Sequence, residues 1–175
     1  SRAAGAAADW RTVLGVFKFR IGTLIMITAL AGLAVVPGGT ATALQALVLA
    51  LSVLVASASA GAFNQFVEAE SDRLMVRTRR RAFASGTLPR SRGWLLAIVV
   101  LLALSVATAA WVINLTSAAF VLLGALTYAV VYTVWLKRRT HWNIVVGGLA
   151  GSLAVLAGAA AANSQIGMPA VLLAL

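Results

Sequence analysis

What most limits the fold of this chain is a series of uncharged apolar runs at 21–36, 42–63, 94–113, 116–136 and 144–162, with a sixth opening at 169–175. An α-helix rises 1.5 Å per residue, so about 20 apolar residues cross the hydrocarbon of a bilayer. The first run is short for this, and Phe17 and Phe19 extend it. Pro37-Gly38-Gly39, the uncharged pair Asn114-Leu115 and the polar stretch 163–167 separate the runs as turns. The expected fold is an all-α polytopic membrane protein, a transmembrane helix bundle of five complete spans and the start of a sixth. Composition agrees: 62% of residues are hydrophobic and 10% charged, where a soluble domain carries about 25% charged residues. There is no cysteine, which excludes disulfides and thiolate metal sites.

The charges set an orientation. All fourteen Lys and Arg fall in residues 1–20, 64–93 and 137–143, and none in the turns at 37–41, 114–115 and 163–168. Positive loops stay in the cytoplasm, so the N-terminus is expected there, in a bacterial cytoplasmic (inner) membrane. A net charge of +10 in a soluble protein would suggest nucleic acid. Here membrane lipid accounts for it, and no nucleic-acid partner is expected. Trp10, Val13, Leu14 and Phe17 follow helical spacing among Arg11, Lys18 and Arg20, which suggests an interfacial helix before the first span. The first apolar run, flanked by Lys18 and Arg20, reads as a transmembrane helix rather than a cleaved signal peptide. Residues 1–175 read as one transmembrane domain. The last run ends without a flanking charge or aromatic belt, so the domain is expected to continue past residue 175.

The acids are concentrated. Of four in the chain, Glu68, Glu70 and Asp72 lie within five positions, and the fourth is Asp9. Asn64, Glu68 and Asp72 are spaced i, i+4, i+8 and share one helical face; Glu70 points away, as a solvated partner for Arg73 or Arg77. An amide oxygen and two carboxylates, with arginines close behind, suit a hard cation such as Mg2+ that shares its shell with a diphosphate. Acids at membrane level are expensive and mark function. Asn64, Glu68 and Asp72 are thus the candidate metal and catalytic residues. Arg79, Arg80 and Arg90 read as topology and lipid-headgroup charges. His141, between Thr140 and Trp142, reads as an interfacial histidine rather than a ligand. The small residues Gly147/Gly151 and Ala150/Ala154/Gly158/Ala162 form stripes for close helix packing.

Asn64-x-x-x-Glu68-x-x-x-Asp72 resembles the first aspartate-rich motif of the UbiA superfamily of intramembrane prenyltransferases. Met75, Arg77, Thr78 and Arg81 resemble the continuation in its heme O synthase (protoheme IX farnesyltransferase) branch. So do Tyr132-Thr133, Leu136-Lys137-Arg138, Thr140 and Asn143-Ile144-Val145-Val146-Gly147-Gly148. Glu68 departs from the usual Asp, Ala82 from the usual Pro, and Leu153-Ala154-Val155-Leu156 from a proline pair. The family's second acidic motif belongs to a later half and has no counterpart here. The resemblance implies Mg-dependent transfer of a farnesyl group from farnesyl diphosphate to a vinyl group of protoheme IX (heme b), giving heme O. It also implies substrate contacts at Arg77, Arg81, Lys137 and Arg138. Partners would include other heme-biosynthesis or oxidase-assembly membrane proteins. With half of the acidic site absent, residues 1–175 alone are expected to be inactive. Two other readings fit the same residues: a related enzyme acting on a quinone precursor, chlorophyll or lipid ether, and a non-enzymatic membrane scaffold.

Overall fold

A computed structural model describes residues 9–136, 143–163 and 167–175, and these are helical with no strand among them. Helix α1 (Trp10–Val16) meets α2 (Phe19–Ala34) at a bend of 48°. Helix α3 (Ala43–Val67) runs into the short α4 (Ala69–Leu74), and α5 (Ala82–Ser85) sits in the loop that follows. Then come α6 (Arg92–Val112), α7 (Leu115–Leu126), α8 (Asn143–Ala162) and α9 (Met168–Ala174). Helix α7 continues without a break as a π-helix over Thr127–Leu136.

Local sequence explains the starts and stops. Thr42 caps α3 in a reciprocal capping box with Gln45, satisfying two otherwise orphaned backbone groups. Asn114 caps α7 by accepting from the backbone N–H of Ser117 (2.7 Å). Gly86 ends α5 with φ +79°, a left-handed conformation that costs glycine nothing.

Three described helices are long and apolar enough to cross a membrane: Ala43–Val67, Arg92–Val112 and Leu115–Leu136. The bent pair α1–α2 makes a fourth if counted as one span, and the apolar stretch Gly147–Ala162 is shorter. The chain is thus an integral membrane protein, and each apolar run of the sequence corresponds to a helix. α6 and the α7 span leave most of their surface facing outward, with Leu96, Val99, Leu104 and Trp111 exposed.

Two cores hold the bundle together. The larger joins α2, α3, α7 and α8 through small side chains, including Ala29, Ala56, Ala60, Ala125, Ala154, Ala157 and Ala161. At its tightest point α2 and α8 touch backbone to backbone. A Cβ on Gly158 would collide with the carbonyl oxygen of Ala29, and one on Gly32 with that of Val155. Without a hydrophobic force between helices in lipid, such close approach supplies the dispersion contacts that hold them. The expected stripe on α8 is therefore a packing surface. The second core lies at the charged end. Phe83 of α5 is 1% exposed and meets Phe66 and Trp94 edge-on, at ring distances of 5.4 and 5.5 Å. This anchor makes the arginine-rich connection 75–91 part of the folded body, which its polar sequence did not suggest.

Candidate functional site

The acidic face forms as its spacing predicts. Helix α3 stops at Val67 and α4 starts at Ala69, yet the hydrogen-bond ladder passes through the junction. The N–H of Glu68 donates to the carbonyl of Asn64 (3.0 Å), and the N–H of Asp72 to that of Glu68 (2.8 Å). Asn64, Glu68 and Asp72 thus stay on one side and are all buried, at 2%, 5% and 4% exposure. Glu70 turns outward and pairs with Arg73 and Arg90, both at 3.4 Å. The expected Glu70–Arg73 contact is present, and its second partner is Arg90 rather than Arg77. Arg90 also stacks over the Phe66 ring (5.1 Å), so it braces the second core.

Burying these groups is costly unless each has a partner. The guanidinium of Arg81 donates to Oδ2 of Asp72 at 2.8 Å, and Thr78 Oγ1 donates to the Asp72 carbonyl at 3.1 Å. A run of turn bonds from Met75 to Arg81 holds both residues in place: Thr78 and Arg79 N–H donate to the Met75 carbonyl, and Arg81 N–H to that of Thr78. Arg73 Nε ties the segment back by donating to the Ala84 carbonyl (2.8 Å). Glu68, Ser71, Asp72, Arg77, Thr78 and Arg81 then line one cleft of about 500 Å3. Of the expected substrate contacts, Arg77 and Arg81 share this cleft with the carboxylates. Lys137 and Arg138 lie outside the described residues, as does His141.

Asn64 has a different surrounding. Its Oδ1 accepts from the ammonium of Lys18 (2.6 Å), and its Nδ2 donates to Thr133 Oγ1 (3.1 Å). Thr133 Oγ1 in turn donates to the Tyr128 carbonyl (2.9 Å), five residues back, as the π-helix allows. The same wide turn stacks the rings of Tyr128 and Tyr132, 5.4 Å apart and 12° from parallel. Gly147 of α8 leaves room for that pair, since a Cβ there would come within 3.1 Å of the Tyr132 ring. Asn64 is therefore the centre of a buried network joining α2, α3 and the π-helix. Neither Lys18 nor the π-helix stands out in the sequence. Lys18 looks like a flanking charge until the bend at its left-handed backbone (φ 46°) turns it toward Asn64.

Among the described residues no three acidic or histidine side chains converge. Two buried carboxylates on one face of an arginine-lined cleft still fit Mg2+, which binds through one or two carboxylates and takes its remaining ligands from phosphates and water. The cleft can therefore accommodate a metal–diphosphate pair. A separate apolar cavity of about 30 Å3 lies within the larger core, lined by Ile25, Val53, Phe120, Gly124, Tyr128 and others.

Most of the chain is similar to known proteins. The model of the UbiA prenyltransferase family matches residues 25–175. The chain is 45% identical over 168 residues to "Protoheme IX farnesyltransferase 2" of Paramagnetospirillum magneticum, covering 96% of this chain and 58% of that protein. It is 38% identical over 175 residues to "Protoheme IX farnesyltransferase" of Rhizorhabdus wittichii, covering 97% and 56%. The chain thus spans a little over half the length of these curated relatives. Among solved structures, a UbiA homologue from Archaeoglobus fulgidus bound to DMAPP and Mg2+ superposes with a TM-score of 0.72 at 21% identity, over 89% of this chain and 56% of that one. The same homologue bound to GPP and Mg2+ gives 0.73 over 90% of this chain. At that identity the likeness speaks for the fold, and the family match and curated relatives speak for descent. The chain belongs to the UbiA prenyltransferase family.

Proposed function

We propose that the protein to which this chain belongs is a heme O synthase, transferring a farnesyl group from farnesyl diphosphate to a vinyl group of protoheme IX. The observation that carries the reading is the cleft in which buried Glu68 and Asp72 face Arg77 and Arg81 at the end of an apolar helix bundle. The names of the curated relatives supply the acceptor and the prenyl group. The magnesium-bound prenyl diphosphates of the structural neighbours supply the class of donor.

Glu68 and Asp72 would hold Mg2+ here, which when bound supplies Lewis-acid neutralisation of the diphosphate leaving group. Asn64, placed beside them by the helix, would position the pair through its bonds to Lys18 and Thr133. Arg77 and Arg81 add charge-assisted contacts to the diphosphate oxygens. Arg81, bonded to Asp72, keeps that carboxylate oriented. As the allylic C–O bond opens, positive charge develops on the prenyl carbon. The apolar interior of the bundle would exclude the water that could otherwise capture it before the vinyl carbon does.

The test is heme O formation by the full-length protein from heme b, farnesyl diphosphate and Mg2+, followed by mass spectrometry. Asp72→Asn and Glu68→Gln keep side-chain size and remove charge, and each should lower turnover by about a thousandfold, near 4 kcal/mol of barrier. Wild-type turnover in either variant at saturating Mg2+ would refute the assignment.

The charged end is proposed to face the cytoplasm. Residues 1–175 contain no cysteine, so single cysteines placed here report cleanly once any elsewhere in the protein is replaced. Thr40→Cys should react with an impermeant thiol reagent added to intact cells, and Ser91→Cys only after the membrane is opened. The opposite pattern would place the acidic cleft in the wrong compartment for soluble diphosphates.

A further inference from the structure

A second cleft, of about 550 Å3, opens at the bend between α1 and α2, on the other side of Arg81 from the carboxylates. Its lining includes Lys18, Arg20, Arg80 and Arg81, with Thr12 and Gln65, and contains no carboxylate. We propose that this cleft receives the propionate carboxylates of the tetrapyrrole acceptor, with Arg20 and Arg80 as the anion-binding residues. The assignment rests on the heme O synthase reading and adds where the acceptor is held.

The cleft is built into the fold. Gln65, 4% exposed, donates from one amide nitrogen to the carbonyls of Gly15 (3.1 Å) and Val16 (3.0 Å), fastening α1 across α3. Val16 is fully buried beneath it. Lys18, at the bend itself, holds a left-handed backbone that a non-glycine residue adopts only where surrounding contacts impose it. Such strain recurs at ligand sites. The bend thus brings exposed Arg20 on α2 into the same cleft as exposed Arg80 and half-buried Arg81.

Charge and position together separate Arg20 and Arg80 from the rest. Among the described residues Arg73, Arg81 and Arg90 each pair with a carboxylate, whereas Arg20 and Arg80 form no ion pair. Arg11, Arg77, Arg79 and Arg92 also form no ion pair among the described residues, but they lie outside this cleft. Two guanidiniums from different elements match two carboxylates on separate flexible arms, each bound in a forked geometry. In the proposed reaction the diphosphate is held with Mg2+ by Glu68 and Asp72, in the other cleft. The placement suits the reaction as well. Arg81 lines both clefts and touches Asp72, so the two clefts adjoin at that side chain. Propionates and vinyls occupy opposite edges of protoheme. A macrocycle anchored by its propionates therefore presents its vinyl edge away from the anchor, where the prenyl carbon can meet it.

The probe is protoheme IX against its dimethyl ester, which keeps the macrocycle and vinyls but neutralises both propionates. Each is titrated into the full-length detergent-solubilised protein by its Soret band. Wild type should bind the diacid about tenfold or more tightly than the diester, as expected for charge-assisted contacts. In Arg20→Gln/Arg80→Gln that preference should vanish, while diester affinity and Mg-dependent farnesyl diphosphate binding stay as in wild type. Equal wild-type affinity for diacid and diester would overturn the assignment, and that comparison needs no variant. So would a double variant that loses farnesyl diphosphate binding, or one that binds heme normally and loses only co-purifying anionic phospholipid. A wild-type protein that binds no heme and makes no heme O would remove the proposed function itself, and this assignment with it.

Discussion

The two ends of this bundle are held together by different physics. Between α2 and α8 the contact is made of absent side chains: Gly32 and Gly158 let one backbone rest on the carbonyls of the other. At the charged end the contact is made of directional bonds, Lys18 to Asn64, Asn64 to Thr133, Arg81 to Asp72, and Gln65 to the end of α1. The seam tolerates no added volume but has no chemistry. The polar end has chemistry, and its buried groups must each keep a partner. A membrane enzyme that handles a charged leaving group needs both: a rigid apolar frame, and a local polar network that orients ionised groups where lipid offers them no solvation.

The contrast predicts where substitutions act. Gly158→Leu should do the greater structural damage, because the Ala29 carbonyl cannot move without shifting α2. Overpacking of this kind costs about 3 kcal/mol, and the variant should show a lowered melting temperature and reduced folded yield in detergent. If Gly158→Leu keeps wild-type stability, the seam is not the rigid element described. Lys18→Met should cost less, about 1–3 kcal/mol, by leaving Asn64 Oδ1 buried without its donor. Its signature is a fall in turnover beyond the loss of folded protein, since the acidic face is then less well oriented; loss of turnover strictly proportional to folded yield would make Lys18 purely structural. The smallest effect belongs to Glu70→Gln. Glu70 is 66% exposed and its two ion pairs are long and solvated, a class worth roughly 0–1 kcal/mol. Turnover within about twofold of wild type is expected. A Glu70→Gln loss comparable to that of Glu68→Gln would mean that the polar end works through all three acids and that the helical face is the wrong unit.

Much of this was legible in the chain. Apolar runs separated by turns determine helices in lipid, because no other local conformation available to them satisfies the backbone there. The i, i+4, i+8 spacing of Asn64, Glu68 and Asp72 determines a shared face for any helix through them, and the face survives the junction at Glu68. Glu70 was separated from them by the same arithmetic. Small residues at Gly158 and Ala154 announced a close helix contact, although not which helix would fill it.

Tertiary structure alone decided the rest. That α2 is the partner of Gly158 depends on the folding of the whole bundle. The burial of Phe83, which turns an arginine-rich stretch into a fixed wall of the cleft, depends on Phe66 and Trp94 from separate helices. The π-helical turn that aims Thr133 at Asn64 has no local sequence mark, because a widened turn is favoured only when outside contacts repay its poorer packing. Lys18 is the sharpest case. By sequence it is one more cation ahead of a membrane span, and only the bend between α1 and α2 brings its ammonium within 2.6 Å of a residue 46 positions away. Periodicity is a property of neighbours along the chain and can be read from them. A hydrogen bond between distant residues depends on where every intervening helix has packed.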